Sequence, residues 1–159
     1  MTELALPCSA RDLGLATLKT PQIVYKQDAE DVALAGMLVD IIKSNIKNSE
    51  AKAIAFMTLK TSVYLSITDA DVDLTLTFDK GDLSVSGGKD GEPNISIITD
   101  STTLMDLSNL KTTALGLPNF FEEPGKSILK KFLNGELRIK GLLLYLFSLI
   151  KLTKVLSVA

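Results

Sequence analysis

Apolar positions recur every second residue through the middle of the chain and every three to four residues on either side of it, so the sequence predicts a sheet bracketed by helices. In the stretch 28–48, Val32, Ala35, Val39, Ile42 and Ile46 fall on one helical face. Asp28 stands where a cap is wanted, and Glu30 and Asp31 suit the positive end of the helix dipole. Ser49 can cap a second helix over 50–60. There the run Ala53-Ile54-Ala55-Phe56-Met57 would also serve as a buried strand, and the helix is the reading preferred.

From Ser62 the period becomes two. Val63, Leu65 and Ile67 alternate with serine and tyrosine, and Val72, Leu74, Leu76 and Phe78 alternate with Asp73, Thr75 and Thr77. Asp79-Lys80-Gly81-Asp82 is a hairpin signal leading to Leu83 and Val85, and a loop over 87–93 leads to Ile95 and Ile97. This predicts a meander of four half-exposed strands. Asp100 opens a short helix carrying Leu104, Leu107 and Leu110, and residues 116–125 form a loop. A further helix over 127–134 stops at Asn134-Gly135, residues 136–140 alternate as a fifth strand, and an apolar helix runs on from Leu142. Residues 1–27, with Pro7, Pro21 and a helical phrase over 11–19, read as an N-terminal extension packing on the body formed by 28–159.

At 159 residues and 46% hydrophobic, the chain can build one core without staples. It has no histidine, which removes the commonest general base and metal ligand and excludes Ser-His-Asp, Cys-His and histidine–zinc chemistry. Cys8 is the sole cysteine, so no intramolecular disulfide forms and a reducing, cytoplasmic setting is expected. The acidic, short apolar beginning does not look like a secretory signal. Residues 142–159 contain Lys151 and Lys154 and fall short of the roughly 20 apolar residues of a membrane span.

The net charge of −2 argues against a nucleic-acid partner, but its distribution is uneven. Residues 69–100 hold eight acids and two lysines, net −6, whereas residues 126–154 hold seven bases and one acid, net +6. A basic, apolar C-terminal part can meet an anionic headgroup or a fatty carboxylate, and a solvated basic face has the same composition.

Motifs of chemistry fail on inspection. Asp69-Ala70-Asp71-Val72-Asp73 begins like a calcium loop, but Leu74 stands where glycine is needed and Lys80 where a bidentate glutamate is needed. Ser127-Ile128-Leu129-Lys130 and Ser44-Asn45-Ile46-Lys47 both fit Ser-x-x-Lys, without the companion motifs of an acyl enzyme. Gly87-Gly88-Lys89-Asp90-Gly91 lacks the phosphate-loop spacing, and Glu122 and Glu123 are adjacent rather than facing across a substrate. No catalytic residue, metal site or cofactor is expected.

What remains is apolar. Phe120, Phe121, Phe132 and Leu133, with Leu142, Leu143, Leu146, Phe147 and Ile150, exceed what one small sheet readily covers. They serve as ordinary core, or they line an apolar cavity between the sheet and the closing helix. Leu104 and Leu107 join the same candidate lining, and Lys151 or Lys154 is placed to meet a polar headgroup.

The order of elements, together with Phe132-Leu133-Asn134-Gly135-Glu136-Leu137-Arg138-Ile139-Lys140-Gly141 before an apolar closing helix, resembles the sterol carrier protein type-2 family. Gly135, Leu137, Ile139 and Gly141 match that family's phrase, with Glu136 in place of a common lysine. The resemblance implies an α+β fold: a five-stranded, mostly antiparallel sheet covered by helices around an apolar cavity. It also implies binding and transfer, without catalysis, of a sterol, fatty acid, fatty acyl thioester or phospholipid. Two other uses of the same fold stay open: an accessory protein that holds an isoprenoid intermediate or a partner enzyme through the C-terminal helix, and a transient anchor on a membrane surface. A self-complementary apolar face on that helix would also suit a homodimer.

Overall fold

In a computed structural model, which describes residues 2–3, 20–26, 29–109, 119 and 121–157, the alternating stretches become β3 (Lys60–Ile67), β4 (Val72–Asp79) and β5 (Asp82–Gly87), an antiparallel meander. The β4–β5 turn is Lys80-Gly81, with φ of 47° and 97°, as a two-residue hairpin of the right-handed sheet twist requires. Opposed pairs such as Val63 and Leu76, or Leu76 and Val85, place all the large apolar side chains on one face. That face is buried, and the other carries mainly Ser, Thr, Tyr and Asp.

The sheet has seven strands where the pattern predicts five. Its order is β1-β2-β5-β4-β3-β6-β7, with β1 (Thr2–Glu3), β2 (Gln22–Lys26), β6 (Ile95–Thr99) and β7 (Arg138–Lys140). The two additional strands come from the N-terminal extension: β2 runs parallel to β5, and β1 pairs antiparallel with β2. Five residues between prolines and charges are too few for periodicity to mark β2, although Ile23 is fully in the core opposite Leu83.

The fourth strand also departs from a meander, because β6 lies parallel to β3 instead of returning beside β5. The connecting loop must therefore recross β4 and β3, and it does so over the polar face. Thr75 Oγ1 donates to the Gly88 carbonyl (2.8 Å) and accepts from the Asp90 amide (3.0 Å), and Ser86 Oγ donates to Asp90 Oδ2 (3.0 Å). Asn94 Oδ1 then receives the Ser62 amide at 3.1 Å. This crossing is why Thr75 and Ser86 are buried on a face that is otherwise wet.

Helices α1 (Ala33–Asn48) and α2 (Glu50–Thr58) cover the apolar face, with Leu38, Val39, Ile42 and Ile46 of α1 and Phe56 of α2 completely enclosed. Phe56 meets Phe78 of β4 edge to face, ring centres 6.0 Å apart. Ser49 caps α2 by accepting the Lys52 amide, as expected, whereas α1 follows a 3-10 turn at Ala29–Asp31 with no side-chain cap; Asp28 lies outside the described residues. The chain continues through α3 (Ser101–Ser108) and α4 (Gly125–Asn134), which ends at Gly135 in the left-handed conformation, φ 79°. The final helix, α5 (Leu146–Leu156), begins four residues later than the pattern predicts, because 141–145 are turns. It lies against α1 and α2 with Leu152 and Val155 buried. Among the described residues no helix is long and apolar enough to cross a membrane. The helical phrase at 11–19 lies outside them.

Candidate functional site

Two carboxylates fix the entry to α3. Asp100 accepts the Thr103 amide (2.6 Å) and the Thr103 hydroxyl (3.0 Å), while Asp69, from the β3–β4 turn, accepts the Ser101 amide (2.9 Å) and the Ser101 hydroxyl. Both stand at the positive end of the helix dipole. Lys131 of α4 donates to Thr103 Oγ1 at 2.6 Å and lies 3.7 Å from Asp100 Oδ1, so α4 is pinned to the start of α3. The aspartates first noticed as half a calcium loop thus include a structural one. Among the described residues no group of three or more metal-ligating side chains forms.

The Thr103 amide, then its hydroxyl and the Lys131 ammonium, hold the Asp100 carboxyl below its ordinary range. The Ser101 hydroxyl and amide do the same for Asp69. Because both folded-state values lie below the unfolded one, near 3.9, their contribution is complete above that value and is lost as pH falls through the depressed ones. Between about pH 5 and pH 2 the thermal midpoint of the native chain should therefore fall more steeply than that of Asp100→Asn. Equal slopes in a melting series across that range would remove this network as a determinant of acid stability.

Gly141 joins β7 to the turns before α5. Its φ is 83°, and a Cβ there would stand 2.2 Å from the Asn94 carbonyl oxygen. The glycine lets two backbone segments touch, and it fixes where Tyr145, Leu146 and the rest of α5 begin.

The candidate lining residues divide into two groups. Leu104 is buried in the core, with Leu107 half-buried against it; Leu142 and Ile150 are half-buried. Phe132 and Leu146 are exposed, and four others stand almost free of cover: Phe121 at 86%, Leu133 at 76%, Leu143 at 91% and Phe147 at 82%. Lys151 directs its amine to the Thr58 carbonyl, 3.4 Å away at the end of α2, a long contact with helix-dipole character. Phe120 lies outside the described residues. Leu144, 86% exposed, and Leu129 were not singled out by sequence, although the unbroken run Leu142-Leu143-Leu144 carried the signal.

Leu107 of α3, Ile139 of β7, Tyr145 just before α5 and Leu149 within it pack on the core while keeping part of their surface in solvent, as do Tyr25, Val32, Leu34, Val72 and Leu156 elsewhere on it. Helix α4 buries only Gly125 and Ile128 and leaves Leu129, Phe132 and Leu133 outside.

A separate open depression of about 920 Å³ runs along α1 and includes Gly36, Met37, Asp40, Ser44, Asn45 and Lys52. It contains none of the candidate lining residues. Its floor is a clasp: Asn45 Nδ2 donates to the Val155 carbonyl at 2.7 Å, and Lys52 Nζ donates to Asn45 Oδ1 (3.1 Å) and to the Ser157 carbonyl. Burial lowers the tendency of the Lys52 ammonium to keep its proton.

No protein-family model and no curated protein matches the chain. Solved structures do. The ubiquinone synthesis protein UbiJ-SCP2 superposes with a TM-score of 0.54 at 16% identity, covering 80% of this chain and 98% of that one. A sterol carrier protein 2 crystal structure gives 0.46 at 17%, covering 76% and 91%, and sterol carrier protein domain 2 of Helicoverpa armigera gives 0.47 at 14%, covering 79% and 91%. The fold is the α+β sterol-carrier fold that the Gly135–Gly141 phrase suggested.

Proposed function

We propose that this chain is a non-catalytic carrier, working in a reducing cytoplasm, that binds a lipid with a long apolar chain at the β6–β7 end of its core. The observation that carries this reading is the group of large apolar side chains left in solvent from α4 through the turn after β7 to the start of α5, Leu133, Leu143 and Phe147, with Ile139, Tyr145 and Leu149 half-covered against the core. An apolar chain laid over them would take that surface out of water. The fold shared with the ubiquinone synthesis protein UbiJ-SCP2 supports the carrier reading in kind. A fatty acid, a fatty acyl thioester, a sterol-like or an isoprenoid molecule meets the chemistry equally.

Each methylene taken out of water contributes about 0.8 kcal/mol, so affinity in a series of fatty acids should rise about fourfold per carbon until the site is full. Solvent extraction of the freshly purified native protein, with mass spectrometry of the extract, should yield a lipid at near one per chain. Nothing bound, together with no displacement of a fluorescent fatty acid, would overturn the carrier reading.

Because that neighbour is a ubiquinone synthesis protein, an accessory role stands second: holding an isoprenoid intermediate or a partner enzyme through α5. A partner enzyme retained at constant stoichiometry on purification, with no lipid in the extract, would favour it.

A further inference from the structure

The geometry points to a second use of the β7 edge: we propose that α4, the 141–145 turn and the start of α5 dock this protein on the surface of an anionic lipid bilayer. This goes beyond the carrier reading, since it requires no internal ligand. Helix α4 carries Ile128, Leu129, Phe132 and Leu133 on one side and the exposed Lys126 and Lys130 on the other, Lys131 being held by Asp100 and Thr103, yet only Ile128 of the four apolar residues is buried. Leu143, Leu144 and Phe147, in the turn after β7 and at the start of α5, are exposed as well, and α4 and α5 both touch α3. The strand between the two groups has three residues, roughly 10 Å, and it is the last in the sheet order. The Leu137 amide bonds to the Lys131 carbonyl (3.2 Å), which keeps α4 against the beginning of that strand.

The occupant is chosen by charge. Residues 126–154 carry seven bases and one acid in a chain whose net charge is −2, so the positive charge is concentrated where the apolar side chains stand out. Six of those seven bases are lysine, a residue depleted from protein–protein interfaces. Lysines beside projecting leucine and phenylalanine are instead the composition of an interfacial membrane element, in which apolar tips enter the acyl boundary and ammonium groups meet lipid phosphates. Phe121 is left out of this surface because Glu122 and Glu123 adjoin it.

Co-sedimentation of the full chain with vesicles of phosphatidylcholine, with and without phosphatidylglycerol, tests the proposal. Binding should need the anionic lipid and should weaken as salt rises from about 0.1 to 1 M and the Debye length shrinks from about 10 to 3 Å. The triple variant Leu143→Ser/Leu144→Ser/Phe147→Ser should bind at least about tenfold more weakly. Its circular dichroism should match the native chain, because all three side chains are more than four-fifths exposed. Should it misfold, Leu133→Ser, on the exposed part of α4, decides in its place. Equal sedimentation with neutral and anionic vesicles, or native-like binding by these variants, overturns the proposal. A native dimer that the triple variant dissolves, without vesicle binding, would assign the surface to a second copy and overturn it as well.

Discussion

Replacing Gly141 with alanine should cost about 2 to 5 kcal/mol of stability, read as a lower denaturation midpoint in urea with an unchanged slope. Two penalties combine. A side chain at φ 83° costs about 1–2 kcal/mol by itself, and its Cβ would overlap the Asn94 carbonyl oxygen at 2.2 Å. That oxygen is backbone, held near the start of β6, while the Asn94 side chain accepts the Ser62 amide, so it cannot swing away as a side-chain tip could. Gly36→Ala is the matched control. It lies inside α1 with nothing within 4 Å of the added carbon, and should be neutral or stabilising by up to about 1 kcal/mol. Equal midpoints for the two variants would show that the β7–α5 turn can shift without penalty.

The second large effect is expected at Asn45. Its amide holds the Val155 carbonyl, and its oxygen takes the Lys52 ammonium, which in turn donates to the Ser157 carbonyl. These carbonyls are at the end of α5, where a helix lacks internal partners. Asn45→Ala should leave buried polar groups short of partners and cost about 2–3 kcal/mol. The loss should be local first: hydrogen exchange at the last turn of α5, where the Ser157 amide bonds to Thr153, should accelerate before exchange in β3 and β4 does. Uniform acceleration across the sheet would mean that α5 has no independent opening and that the clasp serves the whole core.

Much of this architecture was legible because it rests on local rules. The Lys80-Gly81 turn, the Ser49 and Asp100 caps and the Gly135 stop each depend on a few neighbouring residues, and each forms where the sequence placed it. What escaped depends on distant partners. Ile23 belongs to the core only because β5 lies beside β2, and the placement of β6 follows from a loop that recrosses the polar face. Periodicity reports that a residue prefers burial, not which strand will bury it. The same holds at the candidate site. Leu104 and Leu143 look alike in sequence, yet Leu104 is drawn into the core by a helix fixed through Asp100, while Leu143 follows a glycine turn and faces water.

The Asn45–Val155 bond joins residues 110 positions apart, and α5 packs against both α1 and α2. During synthesis, then, the sheet and its first two helices emerge well before the piece that seals them. Until residue 157 has left the ribosome, the nascent chain holds an unsealed apolar seam, and such long-separation contacts form late and slowly. For that interval the half-made protein is a natural client of chaperones that bind exposed apolar segments.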